Sequence, residues 1–428
     1  MNIVIKNVTA LLPNGQDSHT VYIKGQEIAG IDKEPEGFKA ELTIEGEGKL
    51  LIPGLINAHT HSYMSVMRNC ADDLPFMDWL LKRIDPIEGR LTNEDAYWSS
   101  LLGQLEMIRS GITTFNDQQM HIHQTTRAVA ESGMRAVICR GLVGNEYDKS
   151  DRRLLEALEE MEDAKLTDRL NFRLGPHAPY SCGPDYLKMC ADVARDKGIG
   201  IHIHLSESVS EVEQIKEKYG CSPIEYAAKA GVFDVSTIAA HCVQIDEKDI
   251  ELLSEAGVSV VTCPASNMKL GNGFAPIPEL VEKKVNVCLG TDGAASNNAQ
   301  NMFREMGLLA LIHKGTHKTP TCIGAKEVFD MATINGAKAL GLSDIIGSIE
   351  IGKKADLVLL DLNSPSLMPN NNLLSALCYS ANGSEVETVI IDGEVVMENR
   401  EIKTIDEEKV YHEINDMLDR LGVISKLC

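Results

Sequence analysis

The chain is poor in basic residues and has no long apolar run. Its 428 residues include 41 Lys and Arg against 63 Asp and Glu, which gives a formal net charge of −22. A chain this acidic is a poor candidate for binding nucleic acid or an anionic membrane. No window approaches the ~18 consecutive apolar residues that a membrane-spanning helix needs. We therefore expect neither nucleic acid nor membrane as a partner.

The eleven cysteines form no CxxC pair, which excludes a zinc knuckle and a thioredoxin-like redox motif. Many lie in apolar runs such as 137–139 and 287–289, where a thiol is typical of a core residue. Free thiols in this number indicate a reducing compartment. The chain also opens without the basic start and apolar stretch of a secretory signal. These features predict a cytoplasmic protein.

Strand-rich ends enclose a centre in which strands and helices alternate. Residues 2–12 and 20–23 at one end, and 355–361 and 386–394 at the other, have the β-branched, turn-bounded texture of strands. Between them, eight short apolar runs are separated by amphipathic stretches. Such alternation predicts a parallel sheet, and eight repeats predict a (β/α)8 TIM barrel.

We predict a barrel at residues 53–346 and a small β-sandwich built from residues 1–52 and 347–428, the latter ending in a helix. The alternative is a doubly wound open sheet, which needs a Gly-rich phosphate turn after an early strand. The segment Gly271-Asn272-Gly273 comes late and lacks the third glycine of that motif. The barrel is therefore favoured.

Polar residues collect directly after the apolar runs. Because the carboxyl ends of barrel strands meet at one face, residues far apart in the chain are expected to share one cleft. The residues in question are His59, His61, Arg140, His177, His204, Glu207, His241 and Asp292.

The spacing of the first two histidines indicates a metal site. His59 and His61 are two residues apart on an extended segment, so both imidazoles point to the same side. Together with His204 and Asp292 they predict a mononuclear site with three nitrogen ligands and one oxygen ligand. This donor set suits one divalent ion per chain, zinc or alternatively ferrous iron. An open position would hold water, whose pKa the ion lowers toward about 7.

Three further roles follow from position. Glu207 lies at a strand-to-helix corner, where a carboxyl group can shuttle a proton to a substrate; alternatively it is a helix-start residue favoured by the helix dipole. Asp292 can bind the metal and also hold the proton taken from its water. His241 can stabilise the charge that forms when the water attacks the substrate. Alternatively, it only supports the metal ligands. His202 is expected one layer deeper, as packing or support.

Several segments resemble motifs of the amidohydrolase superfamily. They are Pro53-Gly54-Leu55-Ile56-Asn57-Ala58-His59-Thr60-His61, His204-Leu205-Ser206-Glu207, His241-Cys242, Gly290-Thr291-Asp292-Gly293 and the closing segment 347–358. The resemblance spans essentially the whole chain and implies a distorted (β/α)8 barrel with a β-sandwich. Binuclear members carry a carboxylated Lys on strand four, where this chain has Leu174-Gly175-Pro176-His177. The chain instead resembles the mononuclear deaminases of aromatic bases.

Within that group the chain is most similar to the 5'-methylthioadenosine/S-adenosylhomocysteine deaminase family, through segments 74–80, 86–88 and 175–180. The resemblance implies a small-molecule nucleoside substrate and a homo-oligomer. It implies that Glu88 binds the ribose hydroxyls and that His177 contacts the purine. Glu207 and Asp292 would also contact the substrate, and Arg140 and Arg152 would meet the amino-acid end of a homocysteine group. Segment 116–119 differs from the sequence that is usual in this family after the second strand, which leaves the 5' substituent of the substrate open.

Two alternatives remain at this point. One is another mononuclear amidohydrolase, such as a guanine or 8-oxopurine deaminase or a triazine hydrolase, in which Glu88 would have no ribose to bind. The other is a metal-binding barrel without turnover, which predicts gaps in the ligand set; the sequence has none.

Overall fold

A computed structural model describes residues 1–164 and 167–422. Its first five strands belong to the small β domain: β1 (Asn2–Leu12), β2 (Gly15–Lys24), β3 (Glu27–Ile31), β4 (Leu42–Glu45) and β5 (Lys49–Pro53). Successive side chains of a strand point to opposite faces of the sheet. Ile3, Ile5 and Val21 are fully buried on such a face, so the apolar residues of these strands form one side of a core.

The next strands are parallel and curl into a barrel. They are β6 (Leu55–Thr60), β7 (Ile112–Gln119), β8 (Arg135–Leu142), β9 (Leu170–Phe172), β10 (Gly175–Pro176), β11 (Ile201–Leu205), β12 (Thr237–His241), β13 (Ser259–Thr262) and β14 (Asn286–Leu289). The fourth barrel strand is split into β9 and β10, which both pair with β8.

Two hydrogen-bonded groups of strands make up the barrel, β6 to β10 and β11 to β14. A parallel bridge between Leu174 and Ile201 joins them on one side. On the other side, the Asp292 amide donates to the His59 carbonyl at 2.9 Å. The strands thus follow one another around a curled sheet, which confirms the predicted TIM-type barrel.

Helices connect the barrel strands, and two further helices follow strands near the end of the chain. The helices are α1 (Phe76–Trp79), α2 (Asp85–Glu88), α3 (Asn93–Arg109), α4 (Ile122–Ser132), α5 (Arg152–Asp163), α6 (Pro184–Lys197), α7 (Val209–Tyr219), α8 (Pro223–Lys229), α9 (Glu247–Glu255), α10 (Pro264–Lys269), α11 (Ile277–Glu282), α12 (Ala294–Asn297), α13 (Met302–His317), α14 (Ala325–Met331), α15 (Ile334–Leu340), α16 (Leu373–Tyr379) and α17 (Glu407–Leu421). Short 3₁₀ segments lie at Ser62–Met67 and Val232–Asp234, and a π-helical turn, Leu80–Ile84, joins α1 to α2.

Strands from the far end complete the small β domain: β15 (Leu357–Asp361), β16 (Val386–Ile391), β17 (Glu394–Glu398) and β18 (Glu401–Ile402). The sheet order is β18-β17-β16-β15-β5-β1-β2-β3, with β4 on β1. Both ends of the chain therefore contribute to one sheet, as predicted. The domain boundaries at residues 52/53 and 346/347 stay a prediction.

The alternation of side chains lets this sheet serve two cores. Leu51 and Leu359 pack in the interior of the small β domain. Their neighbours Leu50, Ile52 and Leu360 pack in the large core of the barrel. Each such buried side chain contributes about 1.5–3 kcal/mol of transfer free energy. The small β domain is thereby packed against the barrel.

No helix in the described part of the chain is long and apolar enough to cross a membrane. The ten cysteines within the described residues are all free thiols, and Cys139, Cys263 and Cys288 are among those that are fully buried. The apolar surroundings predicted for the cysteines are confirmed for Cys263 and Cys288, whereas Sγ of Cys139 lies 3.6 Å from the Asp117 carbonyl and from Nδ1 of His202.

Candidate functional site

The carboxyl ends of the barrel strands bring the predicted polar residues together. His59 lies near the end of β6 and His61 directly after it, while His204 is on β11 and His241 ends β12. Asp292 follows β14 by three residues. Ser206, His241 and Asp292 have positive φ angles of 51°, 73° and 62°. Non-glycine residues rarely adopt this conformation, and they cluster at functional sites when they do.

The ring nitrogens of these histidines converge on one carboxylate. Oδ1 of Asp292 lies 3.4 Å from Nε2 of His59 and 3.3 Å from Nε2 of His61. Nε2 of His61 lies 3.3 Å from Nε2 of His204. Ligand atoms of His59, His204 and His241 also lie within 4.8 Å of one another.

The opposite ring nitrogens fix the direction of the lone pairs. Nδ1 of His61 donates to the Gln118 carbonyl at 2.6 Å, and Nδ1 of His204 donates to the His177 carbonyl at 2.9 Å. A carbonyl can only accept, so both Nδ1 atoms carry hydrogen, and in the neutral imidazole Nε2 then presents a lone pair. This is the arrangement in which an imidazole binds a metal ion.

The donor set fits a divalent cation. Nε2 of His59 is buried without a hydrogen-bond partner, and burial lowers the pKa of this imidazole to about 4, so the ring is neutral. Burial opposes the charge of Asp292, whereas a cation among these ligands would favour its carboxylate form. Three imidazoles and one carboxylate are ligands that zinc and ferrous iron accept.

Glu207 lies beside this cluster, two residues after β11, and is 5% exposed. Its Oε1 accepts from Nδ2 of Asn272 at 3.2 Å, and its Oε2 is 3.7 Å from Nε2 of His241. Burial, with a further contribution from the charge of Asp292, raises the pKa of Glu207 to about 8. At neutral pH the group therefore holds a proton that it can donate.

His241 and Asp292 are held by further hydrogen bonds. Nδ1 of His241 lies 2.9 Å from Oδ1 of Asn267. Oδ2 of Asp292 accepts from the hydroxyl groups of Ser266 at 2.6 Å and Ser296 at 3.0 Å. These contacts leave Oδ1 of Asp292 directed at the histidine cluster.

A cavity of about 740 Å³ opens above the cluster. This volume is in the range of small-molecule sites. Of the residues predicted to contact the substrate, all but Arg152 line it: Glu88, Arg140, His177, Glu207 and Asp292.

Glu88 and His177 are half-buried in the wall of the cavity. Tyr63 donates its hydroxyl hydrogen to Oε1 of Glu88 at 2.5 Å, and burial raises the pKa of Glu88. Burial lowers the pKa of His177 to about 4, so its ring is neutral, and its Nδ1 lies 2.9 Å from Oγ of Ser181.

The two predicted arginines differ. Nη1 of Arg140 donates to Glu160 at 2.8 and 2.9 Å, and its Nη2 donates to Glu156 at 3.0 Å. The Arg152 side chain is 91% exposed, pairs with Glu156 and does not line the cavity; Arg153 does. Adjacent helix residues point about 100° apart, so the structure brings Arg153 rather than Arg152 to the cavity.

Several site residues escaped the sequence analysis. Asn272 comes from the Gly271-Asn272-Gly273 segment, whose glycines indicate only a turn. Tyr63 and Ser296 reach the site from a 3₁₀ turn and from α12. They are isolated polar residues in ordinary contexts, and the sequence carries no signal for them.

The amidohydrolase family model matches residues 50–396. A protein of Caldanaerobacter subterraneus subsp. tengcongensis, named 5-methylthioadenosine/S-adenosylhomocysteine deaminase, is 47% identical over 98% of this chain and 99% of its own length. A protein of the same name from Acetivibrio thermocellus is 46% identical over 98% of this chain and 100% of its own.

Solved structures share the fold. An adenosine deaminase from Xanthomonas campestris with bound zinc superposes with a TM-score of 0.93 at 31% identity, covering 99% of each chain. An atrazine chlorohydrolase from Arthrobacter aurescens complexed with zinc has a TM-score of 0.90 at 24% identity, covering 97% of this chain and 100% of that one. At that identity the second structure supports the fold alone.

Proposed function

Because this chain belongs to the amidohydrolase family, we propose that it is a metal-dependent deaminase that converts an adenosine derivative to the inosine derivative and ammonia. The observation that carries this proposal is the position of Glu207, which is buried beside the histidine cluster, with Oε1 accepting from Asn272 and Oε2 3.7 Å from Nε2 of His241. Relatives that match almost the whole chain bear the name of such a deaminase. A carboxyl group that stays protonated at neutral pH suits an acid that must protonate a ring nitrogen.

The metal ligands in this proposal are His59, His61, His204 and Asp292. Zinc is the favoured ion and ferrous iron the alternative, with one ion per chain. When bound, such an ion lowers the pKa of a water ligand and supplies a nucleophile at neutral pH.

The protein groups move the protons. Glu207 donates its proton to N1 of the adenine ring, which makes C6 more electrophilic. Asp292 takes a proton from the attacking water and passes it to the C6 amino group, while His241 hydrogen-bonds the oxygen that adds to C6. Water adds to C6 and ammonia leaves; the proton that remains on the C6 oxygen returns to the Glu207 carboxylate, which leaves N1–H and C6=O on the ring.

The rest of the cavity is assigned to the nucleoside. We propose that Glu88 accepts hydrogen bonds from the ribose hydroxyls and that the neutral His177 contacts the purine. Arg153 is proposed to meet the 5' substituent in place of Arg152. Arg140 is already engaged by Glu156 and Glu160, so it has less capacity for a third carboxylate.

One assay tests the function. Metal-loaded protein is mixed with 5'-methylthioadenosine, S-adenosylhomocysteine, adenosine, 5'-deoxyadenosine, guanine, 8-oxoadenine and a chlorotriazine; released ammonia is measured for the purines and nucleosides, and released chloride for the triazine. We expect ammonia from the adenosine derivatives. Release from guanine, 8-oxoadenine or the triazine alone would assign the chain to the other hydrolases, and no release from any compound would leave a metal-binding barrel without turnover.

The Glu207→Gln variant tests the proposed acid. We expect turnover to fall by about 100- to 10,000-fold, the usual contribution of a general acid. Metal content should match the unsubstituted protein; its loss would contradict the role of Glu207.

The resemblance also leads us to propose a cytoplasmic homo-oligomer, which light scattering and cell fractionation can test.

A further inference from the structure

The corner that carries Glu207 is held by a second buried carboxyl group. Oε2 of Glu211 accepts from the backbone amide of Glu207 at 2.8 Å, and its Oε1 accepts from the amide of Ser206 at 3.0 Å. Glu211 is 2% exposed. Within the described residues, these two amides are the only donors to its side chain. Both belong to the turn between β11 and α7.

This contact differs from an ordinary helix cap. Ser208 already caps α7, since its side chain accepts from the Glu211 amide at 3.2 Å. In a capping box the residue at this position returns its hydrogen bond to the amide of the cap residue itself. Glu211 instead reaches past Ser208 to the two preceding residues, which lie outside the helix.

The position of these amides explains what the contact achieves. Ser206 has a φ of 51°, a conformation that a non-glycine residue keeps only when its surroundings fix it. Burying a carboxyl group is costly unless it is hydrogen-bonded. Here both of its oxygens are used on the peptide units that orient Glu207, rather than on a lysine or arginine that would stabilise the helix.

We infer that Glu211 is a positioning residue that clamps the Ser206 and Glu207 amides and so directs the Glu207 carboxyl group between Asn272 and His241. The inference rests on the proposed function, in which Glu207 is the proton donor. A misplacement of about 1 Å in a catalytic group can cost about 100-fold in rate. Loss of the clamp should therefore lower kcat and leave the cavity and metal ligands in place.

The test compares Glu211→Gln with Ser208→Ala. A glutamine side chain can accept from one amide, but its NH2 group opposes the other. We expect kcat of Glu211→Gln to fall by about 10- to 100-fold with KM within about twofold and metal content unchanged. Ser208→Ala removes the helix cap but not the clamp, so its kcat should stay within about twofold even where its Tm falls by a few degrees.

Hydrogen exchange supplies a readout that is independent of activity. In a peptide covering residues 203–210, the amides of Ser206 and Glu207 should exchange about 10-fold faster in Glu211→Gln than in Ser208→Ala. Glu211→Asp keeps both acceptors on a shorter stem and is measured in the same way if Glu211→Gln does not fold. Unchanged exchange or unchanged kcat in the Glu211 variants would overturn the inference. If the unsubstituted protein releases no ammonia while the exchange difference holds, the proposed function fails and the clamp stands.

Discussion

Nε2 of His202 lies 2.9 Å from Nδ1 of His59, and both imidazoles are fully buried. His202 lies behind the histidine cluster on β11, two residues before His204. When the Nε2 of His59 presents its lone pair to a metal, its Nδ1 carries the hydrogen, and Nε2 of His202 accepts it. The deeper layer expected for His202 from the sequence thus supports the candidate metal site.

We predict that His202→Leu weakens zinc binding by about 10- to 100-fold, as is common when the partner of a metal-binding histidine is lost. The measurement is a competition titration against a chromogenic chelator. His202→Gln is the matched control, because a glutamine oxygen can take the place of the Nε2 acceptor, and it should bind zinc nearly as well as the unsubstituted protein. Equal zinc affinity in both variants and in the parent protein would show that the His59–His202 contact is packing only.

The pKa of Glu207 predicts a pH profile for deamination. Because burial raises this pKa to about 8, the donor form is present below that pH and is lost as the pH rises through it. A bound cation favours the carboxylate, so kcat/KM of the zinc-loaded protein should fall with a midpoint at or below about pH 8. Initial rates measured at constant ionic strength with excess zinc give the profile. An activity that keeps rising above that pH would contradict the assignment of Glu207 as the acid.

Replacing Glu88 should distinguish a nucleoside enzyme from a hydrolase of free bases. Glu88→Gln loses a charged acceptor for the ribose hydroxyls, and hydrogen bonds to charged groups contribute about 1.5–3 kcal/mol. We expect kcat/KM for 5'-methylthioadenosine to fall by about 10- to 100-fold. Tyr63→Phe is the control for the neighbouring hydroxyl group: it removes the contact with Glu88 but leaves the carboxylate. An unchanged kcat/KM for 5'-methylthioadenosine in Glu88→Gln would show that Glu88 does not bind ribose. The turnover of free purines should be the same in Glu88→Gln and in the parent protein.

The two neighbouring arginines at the start of α5 give a direct comparison. Arg153 lines the cavity, whereas the Arg152 side chain is 91% exposed. We predict that Arg153→Ala lowers kcat/KM for S-adenosylhomocysteine about 10-fold or more and leaves 5'-methylthioadenosine within about threefold, since only the former carries a carboxylate. Arg152→Ala should leave kcat/KM unchanged for both substrates. The reverse pattern would restore the role expected for Arg152 from the sequence.

The sequence predicted the barrel and the cluster at its strand ends because both depend on a simple geometric rule. The carboxyl ends of parallel strands lie on one face, so His59, His204 and Asp292 had to meet whatever the loops do. No such rule decides which of Arg152 and Arg153 faces the cavity. The choice depends on the residue at which α5 begins, because adjacent helix residues point in different directions. Asn272 was equally hidden, because its role depends on a loop that folds back over Glu207.

Buried polar support was the other part that the sequence did not reveal. Glu211 lies in a stretch of alternating charge that is typical of a solvated helix face, yet it is buried. Its burial follows from its position in the first turn of α7, beneath the corner after β11. The burial of Glu211 becomes visible only when the three-dimensional course of the backbone between β11 and α7 is known.

The pairing of β5 with β15 has a consequence for how the chain is made. Lys49 pairs with Asp361, so this antiparallel ladder closes a loop of more than 300 residues. While the ribosome is still synthesising the barrel, β5 has β1 on one side and an open edge on the other. Contacts of such long range form slowly, and an unpaired edge is prone to join other chains. We therefore expect the nascent chain to expose this edge until β15 has been synthesised, and a chain that ends before β15 to keep the edge unpaired.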